Sequence, residues 1–283
     1  KAGGPVRSVA NLIDALGGDF EFRVVTSDRD LGEDKPYESV VAGSWRSVGK
    51  AKVRYLSPTD MRLVSWYRLL VSESYDLLYL NSFFYRLTVK TLFLRALGLI
   101  PRKPAIVAPR GEFSRDAFSM GDLKKVKKQV YMHIAGVLGF YRGVKWQASS
   151  EREASDILYR LGNRISSRQV FVAPDIPDMS VFQAGRADDE LFEDRISSKR
   201  PGFARVVFLS RIARMKNLEM AIELLGEVNG EIEFDIYGPL EDEGYWDQCC
   251  DGVRRLPSSV RVRYRGPVPR EHVREVFGQY HLF

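Results

Sequence analysis

Val206-Val207-Phe208-Leu209-Ser210-Arg211-Ile212-Ala213-Arg214-Met215-Lys216-Asn217 is the stretch on which the reading of this chain turns. Four apolar residues in a row read as a buried parallel strand, and the apolar residues from Leu218 to Val228 recur at helical spacing. A strand that passes through a short loop into a helix is half of a βαβ unit. In such units the carboxyl ends of the strands face the ligand crevice, and the following helix offers free backbone N–H groups to an anion. Arg211 and Lys216 stand in that loop, where they would clamp a diphosphate. Two solvated loop cations fit the same spacing.

The pattern continues outward. Downstream, strands at Phe234–Tyr237 and Val262–Tyr264 alternate with helices near Tyr245–Val253 and Glu271–Phe277. Upstream, Val6, Val9, Ile13 and Leu16 recur at helical spacing behind Pro5, which stands at the favoured first helical position. Strands are expected at Phe20–Val25, Val53–Leu56, Asp76–Leu80 (covered on both faces), Ala105–Ala108, Lys145–Ala148 and Val170–Ala173. Helices are expected around Leu87–Leu97, Asp122–Phe140 and from Glu151. Such alternation predicts an α/β fold with a parallel sheet. Between Pro174 and Phe203 it dissolves into Asp, Pro, Ser, Arg and Glu, which places a connection there. The expected organisation is one Rossmann-like domain over 1–178, a linker over 179–202 and a second, incomplete domain over 203–283.

Both ends read as cut. Lys1-Ala2-Gly3-Gly4-Pro5 is already a glycine loop with no strand before it, and Tyr280-His281-Leu282-Phe283 reads as a strand just entered.

Composition narrows the chemistry. The 283 residues carry 43 Lys and Arg against 37 Asp and Glu, and this mild excess suits anionic partners without choosing among them. The two cysteines, Cys249 and Cys250, are adjacent, which argues against a disulfide framework or a CxxC metal knuckle and fits a reducing, cytoplasmic setting. No apolar run approaches the roughly 20 residues that span a bilayer. Asp28-Arg29-Asp30 has the spacing of a divalent-cation motif but reads as a polar loop, and His133, His272 and His281 share no metal spacing, so no metal is expected. Lys124-Lys125-Val126-Lys127-Lys128 opens a basic amphipathic helix that reads first as a surface helix with one core face and second as a peripheral membrane contact.

The segment from Val206 to Asn217 resembles the arginine-to-lysine signature of the retaining family-four glycosyltransferases of GT-B fold. Ser210 and Asn217 stand where glycines are commoner in that family, and neither change removes a charge. Gly3-Gly4-Pro5 is similar to its amino-domain glycine loop, Phe234-Asp235-Ile236-Tyr237-Gly238-Pro239 to the strand and turn that follow the cation pair, and Gly266-Pro267-Val268 to the loop whose backbone reads the nucleobase. The resemblance runs in order along nearly the whole chain. It implies two Rossmann-like domains facing a cleft, a UDP- or GDP-sugar as donor, no cofactor, and Arg211 and Lys216 on the leaving diphosphate. Gly3, Gly4, Tyr237, Gly238, Pro239, Gly266, Pro267 and Val268 are then donor contacts.

Leu80-Asn81-Ser82-Phe83-Phe84 and Ala108-Pro109-Arg110-Gly111-Glu112-Phe113-Ser114 lie at the carboxyl ends of predicted strands and resemble a bacterial surface-polysaccharide subgroup of that family, which makes Asn81, Arg110, Gly111 and Glu112 contacts to acceptor or donor sugar. Pairing of Arg110 and Glu112 with neighbours, and local backbone capping by Asn81, fit equally. The implied acceptor is a glycan or a lipid-linked glycan, at the cytoplasmic face of the membrane. The family's paired glutamates would lie beyond Phe283. A sugar-nucleotide epimerase or phosphorylase of the same fold, or a non-catalytic nucleotide- or glycan-binding protein, are the competing functions; nucleic-acid binding rests on net charge alone.

Overall fold

Pro5 opens a helix that closes at a glycine pair, as the sequence predicts. The computed structural model describes residues 4–30, 33–114, 122–178 and 199–283, and helix α1 runs Gly4–Leu16 with Ile13 buried. A Cβ at Gly17 would meet the Ile13 carbonyl and the Lys50 side chain at 2.6 Å, so the chain can turn there only without a side chain. Contacts divide the chain into two units, 1–179 and 180–283. Of the linker expected over 179–202, residues 179–198 lie outside the described residues.

In the first unit, strands β1 (Phe22–Ser27), β2 (Trp45–Val48) and β3 (Ala51–Leu56) form one sheet in the order β1-β3-β2. After helix α2 (Leu63–Ser72), strands β4 (Leu78–Asn81), β5 (Ala105–Ala108), β6 (Val144–Ala148) and β7 (Val170–Val172) form a second sheet, in chain order and parallel throughout. Helices α3 (Arg86–Ala96), α4 (Asp122–Val137) and α5 (Glu151–Leu161) connect them. The expected single parallel sheet is therefore corrected to two among the described residues, one of them mixed. Gly49, at φ 55°, folds the antiparallel β2 back onto β3. The expectation that β4 is covered on both faces is also corrected: its four residues are half-buried, because β4 is the edge strand of its sheet.

The core of this unit is aromatic. Phe83, Phe113 and Trp146 are wholly buried, with Phe83 centred 5.3 Å from Phe113 and 5.5 Å from Trp146. These rings bury large apolar area directly beneath the ends of β4, β5 and β6, and so set the backbone there in a rigid floor.

The second unit has strands β8 (Phe203–Leu209), β9 (Glu231–Tyr237) and β10 (Val260–Gly266), all parallel in the order β10-β9-β8, with helices α6 (Leu218–Glu227), α7 (Glu243–Val253) and α8 (Val273–Gly278). Leu282 bridges Val206 in parallel on the free side of β8. With Leu282 counted beside β8, the order becomes third, second, first, fourth, the arrangement of a Rossmann half. Ile212, Leu218, Ile222, Phe234, Ile236 and Tyr245 seal one face, and Val207, Val276 and Tyr280 the other.

One charge lies inside this unit. Asp235 is 2% exposed and accepts from Tyr280 Oη at 2.6 Å and Arg263 Nε at 2.7 Å, with Arg265 Nη2 at 3.3 Å. Burial pushes its carboxyl pKa up, but the hydrogen bonds from Tyr280, Arg263 and Arg265 outweigh that and hold it below the ordinary 3.8. A depressed folded value means that the stability Asp235 contributes is present above the unfolded value and is lost as pH falls through the folded one. Asp235→Asn should cost about 2 kcal/mol at neutral pH, the scale of hydrogen bonds to a charged group. Urea midpoints taken from neutral pH downward should show wild type and variant converging only below about pH 4; parallel curves would remove the carboxylate from this role.

Candidate functional site

Strand order decides where a ligand can enter the second unit. The chain leaves β8 toward β9 on one side and returns to its other side only at Leu282, so the carboxyl end of β8 is the point where the winding reverses. At such a point the loops part and open a crevice. Ser210 to Lys216 is the loop that leaves there.

Its root is rigid. Ser210 N donates to Tyr237 O at 3.0 Å, Ile212 N to Pro239 O at 2.9 Å, and Gly238 N to Gly266 O at 2.9 Å. These bonds gather Ser210, Arg211, Tyr237, Gly238, Pro239 and Gly266 at the ends of three neighbouring strands. Gly238, at φ 144°, brings its backbone so close that a Cβ would stand 1.7 Å from Ser210 O. Tyr264 Oη donates to Gly238 O at 2.7 Å, and Val268, like Leu209 and Tyr237, packs against the buried cluster of Val207, Val276 and Tyr280. Pro267 follows Gly266, whose φ of 79° turns the chain out of β10.

The two cations differ. Arg211 Nη1 donates to Glu241 Oε2 at 2.6 Å, both side chains being about half exposed. Lys216 ends a 3-10 turn over Arg214–Lys216 and has no side-chain hydrogen bond or ion pair among the described residues. Asn217 then takes a left-handed conformation, φ 56°, and opens α6 without a side-chain cap. The Glu219 amide in its first turn donates to Tyr245 Oη at 3.0 Å, and the positive end of the helix dipole faces the loop. Asn tolerates that backbone, which explains how the position does without the commoner glycine. An exposed pair such as Arg211–Glu241 contributes about 0–1 kcal/mol, so a phosphate can displace Glu241 at little cost.

In the first unit a second constellation forms where β4 to β7 end. Arg110 is held in a left-handed backbone conformation at φ 57°, with its side chain 9% exposed. Its Nε and Nη2 donate to Asn81 Oδ1 at 3.1 and 2.9 Å, Nη2 also to Tyr79 Oη at 2.8 Å, and Nη1 to Asp175. Tyr79 Oη donates to Gln147 Oε1 at 2.6 Å, and Ser8 Oγ of α1 to Asp175 Oδ2 at 2.6 Å. Asn81 is thus a fixed acceptor for Arg110. Glu112 receives Ser82 Oγ at 2.5 Å and the Phe83 and Phe84 amides at 2.6 and 3.2 Å, and so holds the turn after β4, where Ser82 too is left-handed. Burial pushes its carboxyl pKa up.

Beneath Gly111, Glu153 is 8% exposed and receives the Gly111 amide at 2.7 Å and the Ser149 amide and hydroxyl at 2.8 and 2.6 Å. A pocket of about 410 Å³ opens between the start of α1 at Gly4, the Arg110-Gly111 turn and the start of α5 at Ser150. Gly3 lies outside the described residues.

Sequence reasoning missed Ser8, Tyr79, Gln147, Glu153 and Asp175. Ser150-x-x-Glu153 is a helix-start signature, and Ser150 does cap α5 by accepting the Glu153 amide at 3.2 Å. Other polar groups singled out in the sequence have local partners. Asp28 pairs with Arg29 at 2.7 Å, and Asp30 takes the hydroxyl of Tyr37, which that bond and burial push up to about 12. His281 Nδ1 accepts the Arg205 amide at 3.0 Å. Among the described residues no group of three His, Cys, Asp or Glu gathers as a metal site, and no helix is long and apolar enough to cross a membrane.

No family model and no curated protein matches the chain. Solved structures do. The crystal structure of Anabaena Alr3699/HepE in complex with UDP gives a TM-score of 0.61 at 16% identity, covering 99% of this chain and 70% of that one. Its complexes with UDP-glucose and with UDP and glucose each give 0.58 at 15% identity, covering 95% and 67%. This chain shares their fold. The α/β class expected from the sequence, two Rossmann-like units of GT-B type, is the one they display.

Proposed function

We propose that this chain is the donor- and acceptor-binding body of a glycosyltransferase that moves a sugar from a UDP- or GDP-sugar to a hydroxyl of a glycan or lipid-linked acceptor, with retention, at the cytoplasmic face of a membrane. One observation carries the reading: the β8–α6 loop presents Arg211, Lys216 and the N-terminus of a helix at the reversal point of a Rossmann half. The fold is shared with chains that hold UDP and UDP-glucose, which favours a uridine donor.

In this reading the first unit presents the acceptor. Arg110, fixed by Asn81, Tyr79 and Asp175, offers a preorganised cation; Gly111 leaves room for a sugar; Glu112 positions the turn after β4. Arg211 and Lys216 offset charge as it builds on the departing diphosphate, and a phosphate oxygen takes the acceptor proton on the same face of the sugar. The two cations already serve the phosphate, so the route requires neither a protein nucleophile nor a metal.

UDP should raise the unfolding temperature of the chain, since a ligand at about one hundred times its dissociation constant adds about 2.7 kcal/mol. Lys216→Ala and Arg211→Ala should each weaken UDP by about 10- to 100-fold, the loss of one charge-assisted contact, while leaving the ligand-free midpoint unchanged. Titration calorimetry with UDP, UDP-glucose and GDP measures this. Equal affinity in wild type and both variants would remove the clamp.

A further inference from the structure

A line of hydroxyls runs from the buried Asp235 to the strand ends of the candidate site. Tyr280, 4% exposed, donates its only O–H hydrogen to Asp235 Oδ2 at 2.6 Å, and Tyr237 Oη lies 3.1 Å from Tyr280 Oη. Taken alone, this last contact has no direction, because either phenol can donate. Asp235 removes the choice. With its pKa held below the ordinary 3.8 its carboxyl is ionised at neutral pH, and an ionised carboxyl accepts only. Burial first, and then the bond to Asp235, raise the pKa of Tyr280 above the ordinary 10, so Tyr280 keeps its hydrogen and spends it inward. The hydrogen between the two rings is therefore that of Tyr237.

We propose that this relay makes Tyr237 a hydrogen-bond acceptor only, reading an O–H or N–H group of the nucleotide sugar, with Tyr280 and Asp235 as its positioning residues. The inference rests on the transfer reading, in which Tyr237 contacts the nucleotide sugar. Tyr237 is the last residue of β9 and half-buried; its ring packs against Val207, Val276 and Tyr280, and its carbonyl takes the Ser210 amide at the gathered strand ends. The neighbouring Arg211 and Lys216 carry hydrogens and suit phosphate oxygens, which have lone pairs only. A phenol whose hydrogen is turned inward has nothing to offer a phosphate. It complements the parts of the ligand that bear hydrogens, a sugar hydroxyl or the imide N–H of uracil, and its direction is set before the ligand arrives, so no free rotor has to be frozen on binding.

Titration calorimetry with UDP and with inorganic pyrophosphate separates the two kinds of contact. Tyr237→Phe should weaken UDP by about fivefold, the worth of one neutral hydrogen bond, and leave pyrophosphate unchanged. Tyr280→Phe lets the Tyr237 hydrogen turn outward and should weaken UDP by about three- to fivefold, again with pyrophosphate unchanged. Both substitutions keep the ring and its packing. The double variant should bind UDP no worse than Tyr237→Phe alone, because Tyr280 acts only through the hydroxyl that Tyr237→Phe removes. CDP, whose base has no imide hydrogen, tells the two ligand groups apart: a Tyr237→Phe loss that vanishes with CDP assigns the imide, and one that persists assigns a hydroxyl.

A merely structural role for Tyr280 would lower UDP and pyrophosphate affinity together and add to the Tyr237→Phe loss, and either result would overturn the relay. So would unchanged UDP affinity in both single variants while Arg211→Ala still weakens UDP, an outcome that leaves the transfer reading standing. Wild type that does not bind UDP would overturn both.

Discussion

Gly238→Ala is expected to unfold the second unit or leave it barely stable. The added methyl would stand 1.7 Å from Ser210 O and 2.6 Å from Ser210 C, far inside van der Waals contact. Neither atom belongs to a flexible side chain. Ser210 is anchored by its own amide to Tyr237 O, and Gly238 by its amide to Gly266 O, so relief requires prising apart the ends of three strands. The backbone adds its own penalty, because φ 144° lies where only glycine is comfortable, at about 1–3 kcal/mol for another residue. Overpacking adds about 1–3 kcal/mol more. A combined loss of about 4 kcal/mol is a large part of the roughly 5–15 kcal/mol that holds a typical domain. Urea unfolding followed by circular dichroism measures it. A variant within about 1 kcal/mol of wild type would show that the close approach is not what fixes the Ser210 turn.

Glu153→Ala is expected to cost about 3 kcal/mol and to loosen the Gly111 turn. Its carboxylate receives two backbone amides and one hydroxyl from Gly111 and Ser149, and it stands in the first turn of α5, where negative charge is favoured. Removing it leaves part-buried donors without a partner, at about 1–3 kcal/mol for each that water does not reach. Glu153→Gln should recover part of the loss, since one oxygen remains to accept while the new amide faces N–H groups it cannot bond. Chemical denaturation of both variants gives the order. An alanine variant as stable as wild type would mean that solvent reaches those amides.

The fold is legible in the sequence wherever burial leaves a periodic mark. Val206–Leu209 is an apolar run, and Phe234, Ile236 and Tyr237 are apolar around the one charge at Asp235, because helices cover both faces of their sheet; the Pro5 and Gly17 boundaries follow from local backbone chemistry. Strand β2 leaves no mark: Trp45 to Val48 are largely exposed at a sheet edge, so no alternation selects them. Helix α4 reads as having an apolar core face, but its apolar residues point both ways, and sequence alone does not separate a core face from an exposed one. In the site, Arg110-Gly111 can be singled out because a strand plainly ends there. Asp175 cannot, since Pro174-Asp175-Ile176-Pro177 reads as connection and its partners Ser8 and Arg110 are 167 and 65 residues away. Glu112 is legible as a site residue but not as the holder of the Ser82 turn, a role fixed by a contact across 30 residues.

Asp175 closes a chain of bonds that begins at Asn81, passes through Arg110 and ends on Ser8, and it does so from the last few residues of the first unit. A visitor to the pocket that draws on the guanidinium competes with this carboxylate. By reciprocity, any strain that pulls residues 174–178 outward frees the guanidinium by the same factor that the visitor frees the tether. Recognition at the pocket and slack in the chain's exit are two readings of one equilibrium.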